Sequence, residues 1–214
     1  MTPPPRHRSV RRLAPYRARA ASLLALLLLQ AAAPSLRAEP SARPGPAAAG
    51  AGLLAGHFRL VDPVGRTIDS DMLAGKPYGL FFGFTHCPEI CPTTLAQLST
   101  ALRGIADPDL RIYFVTLDPE RDTPAALASY MQSFDPRIVA LGSERAAIDE
   151  AVASFGVVAE RTALPEGRYT YAHTAAVLVV HENGLIADRV SAEMEPTALA
   201  ARLAPLARPS EAVR

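Results

Sequence analysis

"YGLFFGFTHCPEICPTTLAQLSTALRGI", Tyr78 to Ile105, changes its pattern midway. Tyr78 to Phe84 is an unbroken apolar run of the kind a strand buried on both faces requires. After Pro92, leucines at 95, 98 and 102 recur at helical spacing, which predicts a helix over Pro92–Ile105 with one buried face. Between the two lies "THCPEICP", with the only cysteines of the chain, Cys87 and Cys91. A buried strand feeding a helix through this loop sets both thiols at the helix N-terminus.

The alternation continues downstream. "RIYFVTL", Arg111 to Leu117, predicts a second buried strand, and Thr123-Pro124 opens a helix with proline in its first turn. A short strand at Ile138–Leu141 and a helix over Ser143–Phe155 follow. "HTAAVLVVHENGLIADRV", His173 to Val190, predicts a hairpin turned at Asn183-Gly184, and Pro196–Leu206 a closing helix. Upstream, "GHFRLVDPVGRTIDS", Gly56 to Ser70, predicts a short hairpin before the main sheet. This order is that of a thioredoxin-like α/β sandwich with an N-terminal hairpin. In that topology the late hairpin lies antiparallel to the first buried strand. His173, 82 residues beyond Cys91, is then expected over the two sulfurs.

Composition bounds the rest. At 214 residues and 49% hydrophobic, the chain has room for one domain with a real core and an extra segment. Seven of the 22 basic residues and none of the 21 acidic ones fall in 1–38, so the remainder carries 15 basic against 21 acidic groups. An acidic body speaks against a nucleic-acid surface. Residues 1–38 read as an address: an arginine-rich stretch, then "AASLLALLLLQAAA", Ala20 to Ala33, with Ala38 at a plausible cleavage position. The apolar run is shorter than the roughly 18–20 residues that span a bilayer. A cleaved signal is therefore favoured over a retained anchor; Arg11-Arg12 as a twin-arginine signal and a mitochondrial presequence are further readings. Residues 39–55 read as a Pro/Ala/Gly linker, 56–207 as the domain and 208–214 as a tail.

Three readings of the cysteines compete. A disulfide closing so short a loop removes unfolded-state entropy worth about 2 kcal/mol, against about 3 for a 15-residue loop, so a mere staple gains little. A redox pair fits a helix N-terminus, but the spacing is C-x3-C and not C-x2-C, and Arg168–Ala176 contains no proline. A metal site uses Cys87, Cys91 and His173 together: two thiolates suit Cu(I), and imidazole accommodates Cu(II). Structural zinc wants four ligands, and no fourth is evident. An unperturbed thiol is only about 3% ionised at pH 7 and a helix N-terminus shifts it by less than about one unit, so the metal must drive deprotonation. His86 reads as scaffold of the loop, and His57 and His181 as surface or strand positions. Asp118 to Thr123 reads as a turn capping the following helix through Asp122 or Thr123, with a carboxylate facing the cysteine loop as the alternative.

"GFTHCPEICPTTL", "VTLDPERDTP" and "YAHTAAVLVV", in this order, resemble the SCO/SenC family of copper chaperones for cytochrome c oxidase assembly. The resemblance extends from Gly56 to Leu206. It implies a thioredoxin-like fold, copper ligands at Cys87, Cys91 and His173, and a partner in oxidase subunit II, whose dinuclear copper centre the family supplies or whose cysteines it reduces. It also implies an N-terminal membrane helix as a tether; with the leader read as above, the domain is expected to be exported, soluble or N-terminally anchored on the periplasmic side of the bacterial inner membrane, or less readily at the mitochondrial inner membrane. Another copper carrier is a candidate donor. The expected role is a carrier without turnover; the alternative is a thiol-disulfide reductase with Cys87 as the attacking thiol.

Overall fold

The computed structural model describes residues 53–54, 56–191 and 193–207. All fall within the second of the two units into which the chain divides, 48–214. The leader 1–38, most of the linker and the tail 208–214 lie outside the described residues.

Among the described residues, four α-helices and ten strands follow one another: β1 (Leu53–Leu54), β2 (Arg59–Val61), β3 (Thr67–Asp69), β4 (Tyr78–Gly83), α1 (Ile90–Arg103), β5 (Arg111–Thr116), α2 (Pro124–Met131), β6 (Ile138–Leu141), α3 (Arg145–Ser154), β7 (Ala159–Ala163), β8 (Tyr169–His173), β9 (Ala176–Val180), β10 (Leu185–Ser191) and α4 (Pro196–Leu203). Six strands form one sheet in the order β1-β10-β9-β4-β5-β6. β4, β5 and β6 are parallel, joined by the helical crossovers that parallel strands need, whereas β9 runs antiparallel both to β4 and to its hairpin partner β10. This is the thioredoxin-like α/β arrangement. Leu53–Leu54, within the stretch that reads as linker, pair with Ile186 and Leu185 as an added edge strand.

β4 is buried at all six positions, which explains its unbroken apolar sequence. Phe58, Phe81, Phe82, Phe114 and Phe155 fill the core beside it, with Leu95, Leu98 and Leu102 as the buried stripe of α1. α2 begins where its sequence says it must: Pro124 takes the first turn, and the Thr123 hydroxyl accepts from the Ala126 N–H at 3.2 Å. β9 and β10 turn at Asn183-Gly184, where Gly184 has φ of 73°, a left-handed conformation that glycine adopts without strain. β2 and β3 form the N-terminal hairpin. Its turn is held by Asp62, whose Oδ1 accepts from the N–H groups of Val64 and Arg66.

One hairpin is not evident from the sequence. β7 and β8 form a separate two-stranded hairpin outside the main sheet, and β8 ends on His173.

Candidate metal centre

β4 ends at Gly83, and the chain turns through Phe84–Glu89 before α1 begins at Ile90. Glu89, at the helix N-cap, makes no side-chain cap; the sulfur of Cys87 instead accepts the Cys91 N–H at 3.4 Å. One of the helix's free donors thus points at a thiol, where the helix dipole favours negative charge. Cys91, one residue into α1, is fully buried, and Cys87 is half-buried. Both are free thiols. Gly83 makes this burial possible, because a Cβ there would lie 2.8 Å from the Cys91 sulfur and 2.7 Å from Phe114 Cε2.

The antiparallel pairing of β9 with β4 sets Val177 opposite Phe81, so the chain entering β9 arrives beside the end of β4. His173 stands three residues earlier. Its Nε2 lies 3.6 Å from the Cys91 sulfur, and its ring rests edge-on to Phe84 and Phe81, with centroids 5.9 and 6.4 Å away. Its Nδ1 is 3.2 Å from the Thr174 carbonyl. A carbonyl only accepts, so Nδ1 carries the proton in that contact and Nε2 turns its lone pair to the sulfurs. The sulfurs of Cys87 and Cys91 and a ring nitrogen of His173 all lie within 4.8 Å of one another.

The two thiols are electrostatically unequal. The Cys91 thiol donates to the Cys87 sulfur and holds its pKa down, to about 4, against burial that pushes it up; the N–H groups of Cys91 and Glu89 add to the lowering. Cys91 is pushed well above the usual thiol range, first by that same hydrogen bond and then by burial. The pair shares its protons so that the more exposed sulfur is the ready thiolate.

A metal fits between these atoms. With metal–sulfur and metal–nitrogen bonds of about 2.3 and 2.0 Å, donors 3.6 Å apart subtend about 115°, between trigonal and tetrahedral angles. Two thiols and one imidazole form a soft set that favours copper over hard cations. Phe84, Cys87, Pro88, Tyr171 and His173 line a cleft of about 340 Å³ that opens the site to the surface.

The remaining candidates sort differently. His86 Nδ1 lies 3.0 Å from the Thr85 hydroxyl and 3.6 Å from Asp122, as scaffold of the loop. His57, expected at a surface position, pairs with Asp69 at 3.4 Å. Of Asp122 and Thr123, only Thr123 caps α2. Asp122 is buried and faces the cysteine loop, accepting from the Thr85 N–H at 3.0 Å and from the hydroxyls of Thr85 and Thr116 at 2.5 Å. Asp118, also buried, accepts from the Tyr169 hydroxyl at 2.8 Å and pairs with Arg121. Tyr169 and Tyr171 join His173 on one face of β8, and the alternation of the three is the mark they leave in the sequence. Among the described residues no helix is long and apolar enough to cross a membrane.

Comparison with known proteins gives the chain relatives in sequence and in fold. The SCO1/SenC family profile matches residues 46–208. The mitochondrial SCO2 homolog of Bos taurus is 37% identical over 141 residues, 64% of this chain and 53% of that protein. The chain thus spans about half the length of the curated relatives it matches. The structure of Bradyrhizobium japonicum ScoI with copper bound superposes with a TM-score of 0.65 at 36% identity, covering 70% of this chain and 97% of that one. BsSco, described as a member of the Sco family of cytochrome c oxidase assembly proteins and as having a disulfide switch, shares the fold, with a TM-score of 0.57 at 21% identity over 73% of this chain and 94% of that one. A profile match over most of the chain, on a fold that brings Cys87 of the first quoted motif and His173 of the third to one cleft, places this protein in the SCO1/SenC family.

Proposed function

We propose that Cys87, Cys91 and His173 bind one copper ion and that the protein carries it to the dinuclear copper site of cytochrome c oxidase subunit II during oxidase assembly. The observation that carries this reading is the convergence of two free thiols and one imidazole nitrogen within 4.8 Å, at the mouth of an open cleft. Three soft ligands suffice for Cu(I). They leave a side of the ion toward the cleft, from which a partner's thiolate can take it in steps of ligand exchange. The copper-bound state of the Bradyrhizobium ScoI structure supports the assignment of the ion. Another copper carrier would load the site by the same exchange in reverse.

Residues 1–38 are proposed to export the domain, 56–207, to the periplasmic side of the bacterial inner membrane. Sequencing the mature N-terminus tells a cleaved leader from a retained one.

Anaerobic titration with Cu(I) tests the site. One tight site per chain is expected, lost in Cys87→Ser and in Cys91→Ser and weakened in His173→Ala. Wild type binding no tighter than the double cysteine variant would end the proposal.

A second reading rests on the unequal exposure of the thiols. Half-buried Cys87 can attack a partner's disulfide, and buried Cys91 then displaces the partner from the mixed disulfide. Two electrons and two protons pass to the partner, and Cys87–Cys91 is left as a disulfide. On this reading His173→Ala weakens copper binding and leaves reduction of the partner at full rate.

A further inference from the structure

β8 delivers His173, yet no strand of the main sheet pairs with it; it pairs only with β7, in a hairpin of two five-residue strands. Two-stranded hairpins are at best marginally stable by themselves. What holds this one against the domain is a row of side chains on a single face. His173 reaches the cysteines at its base. Tyr171 packs its ring on Phe84, with centroids 5.5 Å apart, and its hydroxyl accepts from Arg145 Nη2 at 3.0 Å. Tyr169, about 13 Å from His173 along an extended strand, donates its hydroxyl to Asp118 at 2.8 Å.

The far end is the most heavily built. Asp118 has no exposed side-chain surface and is paired with Arg121. The Arg121 guanidinium lies 3.8 Å from the Tyr169 ring centroid, as does that of Arg161 on β7, and Arg121 also donates to the Tyr169 carbonyl at 3.3 Å. A buried carboxylate already neutralised by arginine gains from one further donor, and Tyr169 supplies it. The base of the hairpin is only the two residues Thr174 and Ala175 before β9, so a contact at the far end sets the angle at which β8 stands.

We propose that Tyr169, locked to the buried Asp118–Arg121 pair, is a positioning residue that sets the reach of His173 to the metal-binding sulfurs. It touches neither sulfur nor metal; it acts by holding the strand that carries the ligand. This rests on the reading of Cys87, Cys91 and His173 as the copper ligands. It goes beyond that reading by assigning a role to a tyrosine four residues away and to the acidic turn "DPERD", Asp118 to Asp122.

The test is a double-mutant cycle on the full chain. Tyr169→Phe keeps the ring and both guanidinium contacts and removes only the hydroxyl. Cu(I) affinity, measured by competition with a chelator, is expected to fall about tenfold, the low end of what loss of a supporting contact costs a metal-bound histidine. In a His173→Ala background the same substitution is expected to change affinity less than about twofold, because the ligand being positioned is gone. Equal losses in the two backgrounds would overturn the proposal, as would no loss in the first. A second readout needs no metal: in the apoprotein, Tyr169→Phe is expected to move the ring ¹H–¹⁵N NMR signals of His173 while those of His57 and His181 stay in place. If wild type binds no copper, the functional reading fails and the NMR comparison still decides the latch. If wild type binds copper tightly but His173 signals and affinity ignore Tyr169→Phe, the latch alone fails.

Discussion

At the scale of single residues, the site depends on a side chain that is not there. The Cys91 sulfur is packed so closely against Gly83 that one added methyl group meets it at 2.8 Å and the Phe114 ring at 2.7 Å, distances real Cβ contacts do not tolerate. Gly83→Ala must therefore shift the sulfur, the ring or the strand. It is expected to destabilise the apoprotein by about 1–3 kcal/mol, the range for overpacking a core, and to weaken Cu(I) binding as Cys91 leaves its place. Gly104, at the end of α1, is the control. Its backbone is right-handed helical, and an added Cβ would meet only the Ala101 carbonyl, at 3.4 Å. Gly104→Ala should stabilise by about 0.4–1 kcal/mol through the unfolded state and leave copper affinity unchanged. Urea unfolding and chelator competition on the two variants separate these outcomes, and equal effects would show that Gly83 has no special relation to Cys91.

At the scale of elements, the cysteine loop is fastened from below by the loop that follows β5. Asp122 takes three hydrogen bonds from Thr85 and Thr116 in a setting where only 3% of its surface meets water. Asp122→Ala leaves buried donors without an acceptor and is expected to cost about 3 kcal/mol. Asp122→Asn keeps an acceptor oxygen and should cost distinctly less. Both are read by thermal or urea unfolding, with Cu(I) affinity falling in the same order because Thr85 stands two residues before Cys87; a reversed order would refute the tie. This fastening shows what kinds of signal a sequence carries. α1, α2 and the β9–β10 hairpin were legible because leucine spacing, Thr123-Pro124 and Asn183-Gly184 are local marks of local structure. His173 was legible at long range because strand order brings the chain entering β9 beside the end of β4. The β7–β8 hairpin was not: β7, "AERTA", is mostly exposed and lacks the apolar alternation of a half-buried strand. The partners of Asp118 and Asp122 were equally hidden, since a carboxylate that caps a helix and one that anchors a distant loop look alike in sequence.

At the scale of the whole molecule, acidic residues outnumber basic ones beyond residue 38, and several buried or half-buried carboxylates are held by arginine. Asp135 is one of them. Arg137 donates to both of its oxygens, at 2.9 and 2.8 Å, and reaches the Ile105 carbonyl at 2.8 Å, joining the turn before edge strand β6 to the loop after α1. Those arginine hydrogen bonds hold the Asp135 carboxyl below the usual range against the opposing effect of burial, and Arg202 does the same for Asp188. A carboxylate with its pKa depressed in the folded state stabilises the fold fully at pH values above its unfolded pKa, near 3.8. That stabilisation is lost as pH falls through the lower, folded value. The domain should thus keep its stability down to about pH 5 and lose it progressively below about pH 4. Asp135→Asn, which cannot ionise, is expected to be less stable than wild type by about 1.5–3 kcal/mol at neutral pH, the worth of hydrogen bonds to a charged group. Because acid converts the wild-type carboxylate into a neutral group too, the gap between the two proteins should close as pH falls toward about 2. Urea midpoints taken across that range measure the gap directly, and a gap that stays constant would mean that the Asp135–Arg137 pair does not set the acid limit of this fold.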